Sequence, residues 1–368
     1  MPITKSISVI KETRSGEMRV VMMPREVNAF VSAGYDVFVE ENAGVHATAS
    51  NKDYEDAGAR IVDTKTAWGA SRFVVKYKCP SIEETEFLTA DTHIAAYFHA
   101  EGSLLLSEAV ARSQATAYSY ELFQLDDGHF PMPVCDNEIA GKLAVLKGAY
   151  HLLAHQGGRG TLLADIPGAD RPRVVVIGYG NVGGAAARMV ASLGCEVTVF
   201  GTNPYWLRRF SASMPAGVTC LLNDPDTLAK HVKAADLVIG AILISTYDTP
   251  TMIAPALVQQ MKPGSVIVDV TCGYGEGYLP TGNDFTSFEK PAYKVHGVQH
   301  ILIDALPATV PITASQAASH NMLPYLQKMG AAIFDGQPDP VSERGMIIRG
   351  GKFVHPLLSD TFNMLKAV

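Results

Sequence analysis

The sequence predicts an α/β protein of two domains, each with a mainly parallel sheet covered by helices. Three observations support this prediction. Strand-like and helix-like segments alternate along most of the chain. Several strand segments, such as residues 174–177, are short and wholly apolar, which is typical of a sheet buried on both faces. The chain has 368 residues, 47% of them hydrophobic, so it is too long for one ordinary domain and can fill two cores.

The first 130 residues hold the first series of elements. Pro24 suits the first turn of a helix over residues 24–33, and Gly34 can end that helix in a left-handed conformation. A second helix is predicted over residues 104–111. Strands of this series are predicted at residues 6–10, 35–39, 73–77, 94–98 and 115–120.

A long helix is predicted to connect the two domains. It runs from Glu138 to about His155, with Asp136 or Asn137 as its N-cap, and the glycine-rich residues 156–160 end it. After a second series of strands, a helix over residues 316–329 is predicted to pack back on the first series. The outer domain is then built from both ends of the chain. The strands of the inner domain are predicted at residues 174–177, 197–200, 236–240, 265–270 and 300–303.

A glycine motif follows the first strand of the inner domain and opens a helix. Gly178 permits a tight turn, Gly180 lets the backbone approach a pyrophosphate, and Gly183 lets helix and strand pack closely. The helix N-terminus offers N–H groups to that anion. We therefore predict two Rossmann-like domains: an NAD(P)-binding domain at residues 138–304 and a substrate domain at residues 1–137 and 305–368. The predicted cofactor contacts in the motif are Gly178, Tyr179, Gly180, Asn181, Val182 and Gly183.

The residues after the second strand of the inner domain bear on the choice of cofactor. NAD enzymes usually place a carboxylate there to bind the ribose, whereas this chain has Gly201, Thr202 and Asn203. Without that negative charge a 2′-phosphate is not repelled, and Thr202, Asn203 and either Arg208 or Arg209 can bind it. The pattern favours NADP(H). The alternative is NAD(H), with its ribose held by backbone groups.

Candidate catalytic groups stand at strand ends of the outer domain, where open α/β sheets bind ligands. Arg19 can bind a carboxylate, a lysine can stabilise charge on a carbonyl oxygen, and His99 can transfer protons near neutral pH. Lys76 lies in the third strand and Lys78 directly follows it, and the sequence alone does not choose between them. Glu121 follows a strand too and receives no role.

Composition excludes several other classes of protein. With 30 basic and 37 acidic residues and no basic stripe, nucleic acid is not expected as a partner. No apolar run is long enough to span a membrane, and the N-terminus lacks the apolar core of a signal peptide. Five scattered cysteines show no metal-ligand spacing, so no metal site is predicted. A cytoplasmic enzyme is expected.

The chain resembles the alanine dehydrogenase and pyridine nucleotide transhydrogenase family along nearly its whole length. Several blocks in the same order carry the resemblance. They are residues 11–13 (KET), 17–20 (EMRV), 75–80 (VKYKCP), 97–100 (YFHA), 138–142 (EIAGK), 156–160 (QGGRG), the glycine motif, 235–241 (ADLVIGA) and 261–269 (MKPGSVIVD).

The resemblance implies a role for each matching residue. Arg19 matches the arginine that binds the substrate carboxylate, Lys78 rather than Lys76 the substrate lysine, and His99 the catalytic histidine. Asn137 stands where the family has a serine near the cofactor phosphates. The family's dehydrogenases reductively aminate an oxo acid, or run the reverse, and are typically soluble homo-oligomers.

Two departures from the family pattern keep alternatives open. Gly201 is one, and Gly273 is the other, because it stands where the dehydrogenases have a catalytic-site aspartate; Glu276 is a nearby carboxylate. Residues 286–291 (TSFEKP) resemble the carboxyethylornithine synthase branch, whose members reduce an imine formed from an oxo acid and an amino acid.

The sequence thus predicts an NAD(P)-dependent amino-acid dehydrogenase whose partners are a 2-oxo acid or amino acid and an amine donor. One alternative is an opine-type imine reductase, in which an amino acid replaces ammonia. The other is a nucleotide-binding or transhydrogenase-like module without amine chemistry.

Overall fold

The computed structural model describes residues 5–242, 250–271, 277–282, 285–287 and 289–367. Backbone contacts divide the chain into two compact units. Unit 1 consists of Met1–Asp136 and Ala308–Val368, and unit 2 of Asn137–Pro307. The division falls inside one helix, between Asp136 and Asn137.

The described residues form strands and helices in alternation. The strands are β1 (Ser6–Val9), β2 (Asp36–Glu40), β3 (Arg60–Val62), β4 (Phe73–Lys78), β5 (His93–Tyr97), β6 (Thr116–Ser119), β7 (Arg173–Ile177), β8 (Glu196–Gly201), β9 (Val218–Leu222), β10 (Leu237–Gly240), β11 (Val266–Asp269), β12 (Tyr293–Val295), β13 (Val298–Ile301), β14 (Met346–Arg349) and β15 (Lys352–Phe353). The helices are α1 (Pro24–Ser32), α2 (Asn51–Asp56), α3 (Thr64–Gly69), α4 (Leu104–Arg112), α5 (Val134–His151), α6 (Asn181–Ser192), α7 (Pro204–Ala212), α8 (Pro225–Ala234), α9 (Pro255–Val258), α10 (Pro311–Asp335), α11 (Pro340–Arg344) and α12 (Pro356–Ala367).

The sheet of unit 1 has the order β15-β14-β6-β5-β4-β1-β2-β3. Strands β1 to β6 are parallel, while β14 pairs antiparallel with β6 and with β15. Taken from β3, the parallel part runs 3-2-1-4-5-6, the strand order of a Rossmann sheet. The order reverses between β1 and β4, so residues at the carboxyl ends of these two strands lie where such sheets bind ligands.

Apolar side chains of unit 1 form separate clusters on the two faces of this sheet. Phe30 of α1 and Leu326 of α10 belong to the cluster that contains Val75 of β4. Trp68 of α3 belongs to the cluster that contains Val74, the neighbouring residue of the same strand. Successive strand residues point to opposite faces, so both faces of β4 are buried and only its carboxyl end is free to present polar groups.

The sheet of unit 2 has the order β12-β13-β11-β10-β7-β8-β9 and is parallel except for β12. When the parallel strands of this unit are numbered by their order along the chain, they also run 3-2-1-4-5-6 from β9 to β13. The order reverses between β7 and β10. Strands β10 and β11 are buried along their whole length, as their apolar sequences predict. The predicted fold class, α/β with two Rossmann-like domains, is confirmed.

The predicted start of the connecting helix is wrong. Helix α5 begins at Val134, directly after Pro133, so Asp136 and Asn137 lie in its first turn and neither is the N-cap. Proline lacks the backbone N–H that a helix interior requires and is tolerated where a helix begins, so Pro133 is the local signal for this start. The helix also ends at His151, and the chain turns back at Gly157 in a left-handed conformation.

Candidate active site

The glycine motif of unit 2 forms the turn from β7 into α6. Gly178 has a φ of 103°, and a side chain there would also overlap the backbone of Ala241 after β10. A Cβ at Gly183 would overlap the carbonyl group of Gly178, so helix and strand pack closely there. A Cβ at Gly180 would face open space, and the N-terminus of α6 has no side-chain cap. This turn leaves room and helix N–H groups for a pyrophosphate.

Helix α5 lies against this turn. A Cβ at Gly141 would overlap the backbone of Val182, the second residue of α6. Asn137 is four residues before Gly141, on the same face of α5. The amide of Asn137 therefore stands one helical turn from the contact with the glycine motif.

The end of β8 is shaped by an aromatic ring from the glycine motif. Gly201 is buried, and a Cβ at this position would overlap the ring of Tyr179 and approach Leu207. The ring of Tyr179 therefore fills the space in which an acidic side chain at residue 201 would begin. Tyr179 also packs against Phe210 of α7, with ring centroids 5.8 Å apart.

The neighbouring residues are exposed and polar or aromatic. Asn203 caps α7, because its Oδ1 accepts from the backbone N–H groups of Tyr205 and Trp206 at 3.0 and 3.1 Å. The guanidinium of Arg209 lies over both of those rings, at 5.8 and 5.5 Å from their centroids. Of Arg208 and Arg209, the two arginines predicted to be able to bind a 2′-phosphate, Arg209 is therefore the one whose guanidinium lies over aromatic rings.

In unit 1 the two lysines of β4 have different surroundings. Lys76 is fully buried, and its ammonium lies 3.3 Å from Glu12 Oε2 and 3.6 Å from Glu84 Oε1. Lys78 is 6% exposed, and its ammonium has no hydrogen-bond or salt-bridge partner among the residues that the structure describes. It is the last residue of β4, not the first after the strand as predicted, because pairing with β5 continues to Tyr97.

Arg19 is buried in an ion-pair cluster. Its Nε and Nη2 donate to the two carboxylate oxygens of Glu17 at 2.7 and 2.6 Å, and its Nη1 donates to Asp136 Oδ1 at 3.1 Å. Its guanidinium also stacks on the ring of Tyr77, 4.1 Å from the centroid, and the Tyr77 hydroxyl donates to Asp136. Burial raises the pKa of Tyr77, so this hydroxyl stays a donor.

The loop that carries Arg19 is held by the C-terminal part of unit 1. The backbone N–H of Val20 donates to Ser315 Oγ at 3.0 Å, and that of Met23 donates to Ser319 Oγ at 2.8 Å. Both serines lie on α10, which belongs to the C-terminal segment of unit 1. This helix therefore fixes the loop that carries Arg19.

His99 follows β5 with a left-handed backbone, φ 42°. Its backbone N–H donates to Glu121 Oε1, and its Nδ1 lies 3.7 Å from the same oxygen. The imidazole is about half exposed, whereas Glu121 Oε2 is buried and has no hydrogen-bond partner within the described part of the chain. Glu121 therefore fixes the backbone and faces the ring of the histidine, a role that the sequence did not reveal.

Sequence reasoning also missed Glu17, Tyr77 and Asp136, which surround Arg19. The separation of Glu17 and Arg19 by two residues was the one available signal, since Asp136 is 117 positions away. The structure brings Arg19, Tyr77 and Asp136 together, and links Tyr77 to Lys78 through β4. Gly273 and Glu276, which bear on the missing family aspartate, lie outside the described part of the chain.

Within the described ranges, no group of three or more histidine, cysteine, aspartate or glutamate side chains is arranged to hold a metal ion. None of the helices in these ranges has the length and apolar character needed to cross a membrane.

Comparison with known proteins assigns the family. The model for the alanine dehydrogenase/PNT N-terminal domain matches residues 8–135, and the model for the C-terminal domain matches residues 144–356. The alanine dehydrogenase of Bacillus subtilis is 36% identical over 321 residues, covering 87% of this chain and 84% of its own length. That of Staphylococcus epidermidis is 35% identical over 322 residues, covering 87% and 86%.

Solved structures agree with this assignment. A structure of L-alanine dehydrogenase superposes with a TM-score of 0.89 at 35% identity, covering 98% of this chain and 99% of the other. A transhydrogenase structure from Sinorhizobium meliloti has a TM-score of 0.78 at 23% identity, covering 95% and 99%, and so shares the fold. The resemblance found in the sequence is confirmed, and the chain belongs to the alanine dehydrogenase and pyridine nucleotide transhydrogenase family.

Proposed function

We propose that this chain is a nicotinamide-dependent amino-acid dehydrogenase that converts a 2-oxo acid and ammonia into an amino acid, or runs the reverse reaction. The observation that carries the proposal is the difference between the two lysines of β4. Lys76 is neutralised inside the fold, whereas Lys78 is a buried ammonium at the sheet's switch point without a described partner. A buried cation of this kind needs an anionic or carbonyl ligand.

Lys78, His99 and Arg19 each have a role in that reaction. Lys78 donates a hydrogen bond to the oxygen of the 2-oxo acid and stabilises the charge that develops when the amine adds. The carbonyl oxygen leaves as water, and His99, oriented by Glu121, transfers the protons that this step requires. Arg19, stacked on Tyr77, supplies its remaining N–H groups to the substrate carboxylate. A reduced nicotinamide dinucleotide held by the glycine turn would supply the hydride for reduction of the imine.

The glycine turn fits a dinucleotide. Open space at Gly180 and the uncapped N-terminus of α6 suit a pyrophosphate. Asn137 lies on α5, one helical turn before the point where Gly141 approaches the backbone of Val182. The remaining residues of the turn, Asn181 and Val182, offer backbone N–H groups. The proposal therefore assigns the cofactor to residues 138–304 and the substrate to residues 1–137 and 305–368.

For the finer choice of cofactor we infer NADP(H). The ring of Tyr179 over Gly201 leaves no space for a ribose-binding carboxylate, which is the group that repels a 2′-phosphate. Thr202, the free amide nitrogen of Asn203 and the guanidinium of Arg209 supply donors and positive charge to that phosphate. We also propose that the enzyme is a cytoplasmic homo-oligomer.

Oxidation of NADPH and of NADH, followed with a panel of 2-oxo acids, tests the proposal. Ammonia should support turnover with at least one oxo acid, faster with NADPH than with NADH. Turnover with amino acids but not with ammonia would instead identify an opine-type imine reductase. Nucleotide binding without turnover in any combination would identify a binding module. Light scattering of the purified protein tests the oligomeric state.

A further inference from the structure

Glu12 continues the hydrogen bonding of β4 beyond the end of β1. Pairing between these strands ends at Val9 and Val75, and the last backbone bond runs from the N–H of Ile10 to the carbonyl of Val75 at 3.0 Å. The next N–H of β4 on this side belongs to Tyr77, and it donates to Glu12 Oε1 at 2.7 Å. The side chain thus replaces the missing strand.

The other oxygen of the same carboxylate receives two more donors. The backbone N–H of Lys78 and the ammonium of Lys76 each lie 3.3 Å from Glu12 Oε2. The register of β4 against β5 shifts between Val75 and Lys78, which turns these N–H groups away from the regular ladder. One side chain, 3% exposed, therefore binds three consecutive residues at the end of β4.

We propose that Glu12 is a positioning residue of the active site, which fixes the end of β4 and thereby the ammonium of Lys78 and the ring of Tyr77. The inference rests on the proposed function for the role of Lys78. Through Tyr77 it extends to Arg19, which stacks on that ring, and to Asp136, which accepts from the Tyr77 hydroxyl.

The positioning depends on the charge of Glu12. Both oxygens act as acceptors, and a proton on Oε2 would face the N–H of Lys78 and the ammonium of Lys76. Burial raises the pKa of Glu12 to about 7, and nearby Glu17 raises it too, while Lys76 opposes the increase. The other charged groups of this cluster are Glu84, which shares Lys76, and Lys78 itself. As the pH falls through about 7, Glu12 therefore loses its charge and one acceptor site, and the groups that it holds at the end of β4 should change position.

The pH dependence of kcat in Glu12→Gln tests the proposal. The variant keeps the size of the side chain and one acceptor oxygen, but it always presents an NH₂ group where the protonated acid would present its proton. We expect its kcat to be about tenfold below that of the natural enzyme at about pH 8. We also expect its kcat to rise less between about pH 6 and pH 8 than that of the natural enzyme.

Two further variants separate the effect of the length of the Glu12 side chain from the effect of its charge. Glu12→Asp keeps the charge but is one methylene shorter, so it should lower kcat while the pH-dependent rise remains. Glu84→Gln is the matched control: it removes the other carboxylate near Lys76 without touching the backbone of β4. Its kcat should stay within about twofold of the natural value, because Lys76 keeps its ion pair with Glu12 and the contacts of Glu12 with β4 remain.

Amide hydrogen exchange at Tyr77 and Lys78 provides a reading that needs no assay of activity. Exchange of these two amides should be faster in Glu12→Gln than in Glu84→Gln, while that of Val9 in β1 stays the same. If the chain has no amination activity, faster exchange still supports the positioning role and only the proposed reaction fails. Unchanged exchange at both amides, or a natural pH profile in Glu12→Gln, overturns the inference.

Discussion

The ring of Tyr179 lies over Gly201, in the space that a Cβ at residue 201 would occupy. Gly201→Asp alone should therefore not produce an NAD enzyme. It should overpack the end of β8, at a cost of ~1–3 kcal/mol, and weaken binding of both cofactors. Gly201→Asp combined with Tyr179→Ala makes room for the carboxylate, and kcat/KM for NADH relative to NADPH should rise about tenfold or more. Tyr179→Ala alone is the control, and an equal gain in that variant would show that the carboxylate plays no part.

Substituting the two lysines of β4 should separate stability from catalysis. Lys76→Met leaves the buried carboxylates of Glu12 and Glu84 without their cation, so the free energy of unfolding should fall by ~3–5 kcal/mol. Lys78→Met removes an ammonium that has no described partner, so stability should change by less than ~1 kcal/mol while kcat/KM falls about 100-fold or more. Denaturant unfolding and steady-state rates give the two values, and a stable, inactive Lys76→Met would reverse the assignment.

Asp136 occupies one side of the guanidinium that the proposal assigns to the substrate carboxylate. Asp136→Asn removes a negative charge that lies 3.1 Å from Arg19 Nη1 and keeps the shape of the side chain. Because like charges repel, KM for the 2-oxo acid should fall, by up to about tenfold. Tyr77→Phe is the matched control, since it removes a hydrogen bond to Asp136 but no charge, and its KM should stay within about threefold. A higher KM in Asp136→Asn would mean that Asp136 helps to bind the substrate.

Two substitutions of His99 separate the effect of its left-handed backbone on stability from the effect of its imidazole on catalysis. His99→Ala and His99→Gly both remove the imidazole, so each should lower kcat about 100-fold or more. A glycine adopts a φ of 42° without the cost of ~1–2 kcal/mol that a Cβ imposes, so His99→Gly should unfold at a higher temperature than His99→Ala. Thermal scans of both variants test the backbone, and natural activity in either one would exclude His99 from catalysis.

The sequence predicted those parts of the fold whose signal is local. Apolar runs such as β10 and residues 266–268 of β11 were found because a strand buried on both faces has few polar positions. Strand β9 was missed because it is only half-buried, at the edge of its sheet, and the short β14 and β15 because they pair antiparallel at the far edge of unit 1. Such strands are stabilised by neighbours that lie far away in the sequence.

The site was predictable to the extent that residue types at strand ends indicate chemistry. Lys76 and Lys78 could not be separated, because residues two apart on a regular strand point to the same face. The structure separates them through the shifted register of β4 and through Glu12, 64 positions from Lys76. Likewise, only the folded chain reveals that Asp136 reaches Arg19 and that Tyr179 covers Gly201.

The stability of unit 2 should depend on the protonation of His300. This imidazole is fully buried between Thr281 and the carbonyl of Val298, and burial lowers its pKa to about 4, from an ordinary value of 6.5. A histidine with a lowered pKa in the folded state contributes stability above its unfolded pKa, and that stability is lost as the pH falls toward the folded value. As the pH falls, the natural protein should therefore lose more stability than His300→Gln, by ~2 kcal/mol between about pH 7 and pH 5 and by ~3 kcal/mol once the pH reaches about 4. Glu12 works in the opposite direction over this range, but it is present in both proteins and its effect cancels in the difference.

His129→Gln is the control, because this side chain is exposed in a surface turn, and its unfolding should follow the natural pH dependence. Thermal unfolding at half-unit steps of pH gives the comparison, and parallel curves for the natural protein and His300→Gln would show that protonation of this residue does not destabilise the fold.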